Sequence, residues 1–261
     1  MTSYWLRLAR KTEWGSLLSL VSPSFFDVLP ARALLTQGRD LLRNLDARSF
    51  AAARKRAARA LEKAGRPVSL LAALPGKALS EDDALAAPER TLVGELVLEL
   101  YFRPLLGTGE SLLDLRAERL ALEEDGLLWA PGPAWVTWDA DFLQGIGDLY
   151  RGFYREEPAV FAHGLAALGL EPAEALLRRH FGEGDQTAVR FEVAHFQESF
   201  HAVFTECRRR RVELHRNFLP LGLALATLYT TLERLEVPLD VRAAFERSAG
   251  DRKKPRRRAR A

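Results

Sequence analysis

Apolar residues recur at helical spacing through most of this chain and change to a shorter period only in its middle. Val189, Val193, Phe196, Phe200, Val203 and Cys207 succeed one another at intervals of four, three, four, three and four, which places them on one face of a helix. Leu221, Leu225, Leu228, Leu232 and Leu235 repeat the pattern after Pro220. The two stripes predict a helical hairpin, closed by Val237-Pro238. Leu92, Leu96 and Leu100 predict a helix over Glu89–Arg103 that stops at Pro104. Upstream, residues 1–21 read as an amphipathic helix ended by Ser22-Pro23-Ser24, and Leu29–Leu45 as a second, with Pro30 in its permitted first turn. Ser49 is placed to cap an Ala/Arg-rich helix over Phe50–Ala64, ended by Gly65 and Pro67. Pro75-Gly76 through Pro88 reads as a loop.

Between Gly107 and Asp141 the period shortens. Arg119–Leu122, the polar run Glu123-Glu124-Asp125-Gly126 and Leu127–Trp129 predict a β-hairpin turning at Asp125-Gly126. Pro131-Gly132-Pro133 makes another turn, and Ala134–Trp138 reads as a further short strand. From Gly145 onward the pattern is helical again. The fold class is therefore α-rich α+β, a mostly helical body around a small central hairpin. Its organisation reads as an N-terminal helical region (1–88), a helical region carrying the hairpin (89–250) and a disordered basic tail (251–261).

Composition narrows the class. With 261 residues, 48% hydrophobic and 28% charged, the chain is ordinary globular material able to bury a core. Cys207 is its one cysteine, so no internal disulfide and no cysteine zinc cluster is available. The longest apolar run, Phe218–Tyr229, falls well short of the roughly 20 residues that cross a bilayer. Charges at Arg7, Arg10, Lys11 and Glu13 interrupt the apolar residues of the N-terminus, unlike a signal peptide. These features predict a cytoplasmic location.

Net charge is unevenly placed. Residues 251–261 hold seven Lys/Arg and one Asp, hence +6, against +3 for the whole chain, so residues 1–250 carry −3. The segment 252–260 would give weak, sequence-independent contact with nucleic acid or anionic lipid, and no aromatic residue there would stack on bases.

Two clusters have the residue types of chemistry. Glu192, His195, Glu198 and His201 form two Glu-x-x-His units, a spacing that puts metal ligands on one helix face. His195, Glu198 and His201 are thus candidate metal ligands, although they face away from the apolar stripe of their own helix. The run Arg208–Arg211 spreads around a helix end, where cations suit the helix dipole.

The third candidate is Gly109–Asp141. A kinase catalytic loop places a base Asp, an Asn for Mg²⁺ about five residues later, a hairpin, and an Asp-Phe-Gly metal site. Gly109-Glu110-Ser111-Leu112-Leu113-Asp114-Leu115-Arg116-Ala117-Glu118-Arg119, then the hairpin, then Trp138-Asp139-Ala140-Asp141-Phe142 keep that order. The segment resembles the catalytic half of the AarF/UbiB family of atypical kinases, and looser helical likeness extends it over roughly residues 90–245. The resemblance implies a kinase C-lobe-like fold and puts Asp114 at the loop Asp, with Asp139 or Asp141 toward Mg-ATP. It also implies a departure: Arg119 stands where the family has its metal-binding Asn, and the loop histidines are missing. No Gly-rich phosphate loop and no strand lysine can be placed in residues 1–90. The resemblance and its departures together imply a non-catalytic, pseudokinase-like binding or regulatory protein with a protein partner. An active small Mg-ATP phosphotransferase, a helical metal-binding protein and a plain protein-interaction module are the alternatives.

Overall fold

The computed structural model describes residues 23–30, 32, 36, 46–107, 109–182 and 188–250. Among them, helices α1 (Pro23–Val28), α2 (Ala47–Lys63), α3 (Ala87–Leu106), α4 (Ala140–Tyr154), α5 (Pro158–Leu168), α6 (Glu174–Phe181), α7 (Val193–Arg209), α8 (Phe218–Leu235) and α9 (Val241–Ala249) surround two small sheets. The strands are β1 (Val68–Leu70), β2 (Glu110–Leu112), β3 (Leu120–Glu123), β4 (Gly126–Trp129) and β5 (Trp135–Thr137). This is the mostly helical α+β class that the hydrophobic pattern predicts. One cluster of buried side chains runs from Phe25 to Phe245.

The centre of the fold is α8. Its Leu221, Leu225, Leu228, Leu232 and Leu235 are buried, and so are Leu223, Ala224, Ala226 and Thr227 between them. The expected stripe is thus the most apolar side of a helix enclosed over most of its circumference. The preceding stripe is shorter than predicted. Phe196, Val203 and Cys207 are buried along α7, but Val189 lies outside the helix and pairs with Leu239 in an isolated antiparallel bridge. Helices α4 and α5 cross closely because glycines lie at the contact. A Cβ on Gly152 would stand 2.2 Å from Phe161 N, and one on Gly164 2.4 Å from Leu149 N.

Several element ends differ from the sequence expectation for identifiable reasons. Helix α2 begins earlier, at Ala47, because Asp46 rather than Ser49 is the cap: its carboxylate accepts the Ser49 N–H at 2.9 Å. Helix α3 begins at Ala87, where the Glu89 carboxylate accepts the Ala86 N–H, and it continues past Pro104 to Leu106. A proline in the last turn forfeits one backbone bond, and the apolar seam of Leu100, Tyr101, Phe102 and Leu105 still holds that turn in the core. The loop before α3 contains a 3-10 turn, Leu79–Glu81. The helices expected over residues 1–21 and over most of Leu29–Leu45 lie outside the described residues, as does the basic segment 251–261. Leu29 itself is not helical.

The hairpin forms as expected between β3 and β4, with one shift. Gly126 pairs with Glu123 as the first residue of β4, so the turn is Glu124-Asp125. Gly126 has φ +130° and packs against Pro67, where a Cβ would sit 2.2 Å from the Pro67 carbonyl oxygen. That contact leads into an unforeseen strand: β1 pairs in parallel with β4, giving the order β1-β4-β3. Val68-Ser69-Leu70 does alternate, but three residues are too few to carry a periodic signal. The expected strand over Ala134–Trp138 is β5, and it pairs antiparallel with β2, Ser111 opposite Val136.

Candidate functional site

The pairing of β2 with β5 returns the chain after the hairpin to where the hairpin left. The loop Leu113–Arg116 leaves β2, and the segment Trp138–Asp139 leaves β5 into α4. Trp138 N–H donates to the Gly109 carbonyl at 2.8 Å, and Leu113 N–H to the Ala134 carbonyl at 3.0 Å.

Side chains from elsewhere hold the loop. Three consecutive backbone carbonyls are satisfied: Leu113 by the Thr227 hydroxyl at 2.8 Å, Asp114 by the Trp129 indole N–H at 2.7 Å, and Leu115 by the Thr231 hydroxyl at 2.7 Å. Thr227 and Thr231 lie one turn apart on α8, and both are buried. Buried carbonyls need such partners, since each unpaired one would cost the desolvation of a hydrogen-bonding group.

Asp114 is itself fully buried, at 0% exposure. Its carboxylate accepts from Arg116 Nε at 2.7 Å and from Arg116 Nη2 at 2.8 Å, a bidentate pair. Oδ2 also accepts the Gly132 N–H at 2.9 Å, and Arg119 Nε lies 3.5 Å from the same oxygen. The Pro131-Gly132-Pro133 turn therefore presses its glycine on this carboxylate.

Asp139 precedes the first turn of α4. Its backbone N–H donates to Asn217 Oδ1 at 3.0 Å, and Asn217 is buried. Its carboxylate accepts from Arg216 at 2.8 and 2.6 Å, and His215 Nε2 lies 3.2 Å away. The Arg216 guanidinium bonded to it holds the Asp139 carboxyl below the usual carboxylate range. Burial pushes His215 down, against the opposing pull of Asp139. The His215 ring stacks on Phe142, centroids 5.2 Å apart, and Phe142 stacks on Trp138 at 5.7 Å. Asp141 is exposed in the first turn of α4. Of the two acids at this position, then, Asp139 lies in the charged cluster and Asp141 faces solvent.

The metal candidates are arranged differently. His195, Glu198 and His201 are exposed on α7. His201 Nδ1 is 3.3 Å from the Ser24 hydroxyl, and His195 stacks on His180 with centroids 5.4 Å apart. Among the described residues no three His, Cys, Asp or Glu side chains come together as a metal site. His180 is the more unusual histidine: its Nε2 lies 3.2 Å from the Tyr229 hydroxyl, and burial pushes it down to about 3.

The arginine run is partly neutralised. Arg208 pairs with Asp27 at 3.0 Å, and Arg209 and Arg210 share Glu206 at 2.7 and 3.1 Å.

A cavity of about 550 Å³ lies beneath α2, beside the charged loop. Trp129, Trp135 and Trp138 line it, with Ala53, Ala57 and Leu61 opposite. At its edge Arg56 pairs with Glu110 at 2.7 Å and lies over the Trp135 ring.

The residues that build this region and that sequence reasoning misses are Arg116, Gly132, Arg216, Asn217, Thr227 and Thr231. Two threonines one turn apart in a leucine-rich helix are the available signal, because a buried hydroxyl must find a partner.

No family model and no curated protein matches this chain.

Proposed function

We propose that the chain is a non-catalytic, pseudokinase-like relative of the AarF/UbiB atypical kinases that acts as a binding or regulatory module. The observation that carries this reading is the same at both acids: each is taken up by arginine. Phosphoryl transfer needs carboxylate or amide oxygens free to hold Mg²⁺ and neutralise the moving phosphoryl group. Asp114 gives both oxygens to Arg116 and Gly132, and Asp139 gives both to Arg216. Arg119, in the position of the family's metal-binding Asn, brings a further positive charge toward Asp114. This donor set does not suit a dication, and no step of phosphoryl transfer can be derived from it.

The order of loop, hairpin and Asp-Phe segment supports the relationship, and the arginines support the loss of catalysis. A binding role is consistent with the tryptophan-lined cavity, whose volume is within the roughly 300–1,000 Å³ common for ligand pockets. In the described residues no helix is long and apolar enough to cross a membrane.

The test is thermal unfolding of the purified chain with and without millimolar Mg-ATP. A ligand at about 100 times its dissociation constant adds roughly 2.7 kcal/mol, and the expected result is no shift. A shift that Asp139→Ala abolishes would establish a nucleotide site, and phosphoryl transfer from Mg-ATP by the purified chain would then replace this reading with the active phosphotransferase.

A further inference from the structure

Helix α2 has a sharply divided surface. Over its 17 residues it carries Arg48, Arg54, Lys55, Arg56, Arg59 and Lys63 against one acid, Glu62. At about 100° per residue, Arg48, Lys55, Arg59 and Lys63 fall within roughly 80° of one another. Phe50, Ala53 and Leu61 fall on the opposite side and are buried. The four cations are exposed. Arg56, at the edge of the stripe, is paired with Glu110, and Arg54 lies over Phe50. Among the described residues no carboxylate lies within ion-pair distance of Arg48, Lys55, Arg59 or Lys63. This sets them apart from the Arg208–Arg210 run, whose members have acidic partners.

We infer that this face of α2 binds the phosphate backbone of nucleic acid, without reading its sequence. The stripe is about 22 Å long, from 1.5 Å of rise per residue between positions 48 and 63. Each strand carries a phosphate about every 3.4 Å of axis, so the last three cations, one helical turn or about 6 Å apart, come close to the spacing of every second phosphate. Ala51 and Ala52 between them are exposed and small, which leaves a backbone room to approach. The exposed face has no aromatic side chain for stacking on bases, and its long, solvated cations suit phosphate contact. A bilayer is a poorer fit. Interfacial helices insert an apolar face, and α2 keeps its Phe50, Ala53 and Leu61 in the body.

The experiment is fluorescence anisotropy of a labelled 20-base-pair DNA duplex with the full chain between 50 and 200 mM salt. The variants are K55Q/R59Q/K63Q and, as a control of equal charge, R208Q/R209Q/R210Q. Each phosphate neutralised contributes about 0.9 to the slope of log affinity against log salt. The stripe variant should therefore lose about 2.7 from that slope, and the control much less. Glutamine is a good helix former, and circular dichroism checks that α2 is intact. Equal losses in the two variants would overturn the inference in favour of net charge alone. An unchanged slope in the stripe variant would overturn it in favour of the basic residues of 252–260. Duplex binding that is absent, with binding to vesicles of phosphatidylcholine and phosphatidylglycerol that the stripe variant loses, would assign the face to a membrane surface instead.

Discussion

Asp114 and Asp139 have the same partner chemistry and opposite settings. Each gives both carboxylate oxygens to one arginine. Asp114 is fully buried, while the Asp139 side chain keeps 32% of its surface in solvent. Asp114 also accepts a backbone N–H from a turn eighteen residues away, at Gly132. A bidentate pair in low dielectric must remain complete, because removing one partner strands a charge that water cannot reach. The same pair at the surface competes with water on both sides and contributes little. The pair at Asp114 is therefore part of the fold, and the pair at Asp139 is a surface latch between the start of α4 and the segment before α8. That difference ranks the consequences of breaking each.

The largest effect is expected at Asp114. Asp114→Ala leaves the Arg116 guanidinium without its bidentate acceptor and the Gly132 N–H without a partner, at a cost of about 3 kcal/mol. Urea denaturation of the variant against wild type measures it through the midpoint at constant slope. A cost under about 1 kcal/mol would show that Arg116 reaches water easily, and the contrast between the two acids would collapse.

Gly132 sharpens the contrast. A Cβ there would stand 2.7 Å from Asp114 Oδ2, closer than a carboxylate fixed by three donors can yield. Gly132→Ala should cost about 2 kcal/mol in the wild-type background, in the range of overpacked sites. In Asp114→Ala the obstructing oxygen is gone, so the same substitution should cost little. The double-mutant cycle then gives a coupling energy above about 1 kcal/mol. Additive costs would mean that glycine is needed for the Pro131-Gly132-Pro133 backbone itself and not for the carboxylate.

The legibility of these features depends on how each is encoded. Helices α7 and α8 are readable because their packing repeats every three or four residues, and the hairpin because a polar run separates two apolar ones. Strand β1 is hidden, since three residues held by a neighbour's backbone need no pattern of their own. At the site, Asp114 and Asp139 are legible through the order of loop, hairpin and Asp-Phe. Their arginines are not. Arg216 reaches Asp139 across 77 positions, and nothing local distinguishes it from Arg208–Arg211, which end a helix near other acids. Arg116 is two residues from Asp114, yet whether a guanidinium folds back on its neighbour depends on burial that only α8 and the Gly132 turn supply. Charge spacing on α2 is present in the sequence as an Ala/Arg-rich helix, but its division into a buried and a free face requires knowing which side meets the body.

The smallest effect is expected at Asp139, and pH makes it measurable. Its carboxyl is held below the ordinary carboxylate value by Arg216. The unfolded chain, with a value near 3.9, therefore binds a proton before the folded chain does. The stabilisation is present above about pH 4 and is lost as pH falls through the lowered folded value. Asp139→Asn should cost about 0.5 kcal/mol near pH 7, as for other solvent-screened pairs, and the gap from wild type should close in strong acid. His215 acts over a higher window. Its value is pushed below the ordinary 6.5 mainly by burial, so protonation of the unfolded chain first erodes stability as pH drops below that value. Asp139 pulls His215 upward, so Asp139→Asn should steepen this erosion between about pH 6.5 and 5 while flattening the acid limb. Denaturant midpoints at pH 7, 5 and 3 separate the two contributions. A gap that stays constant to pH 3 would mean that the Arg216 pair adds nothing to stability, and that the Asn217 bond to the Asp139 N–H alone fixes the start of α4.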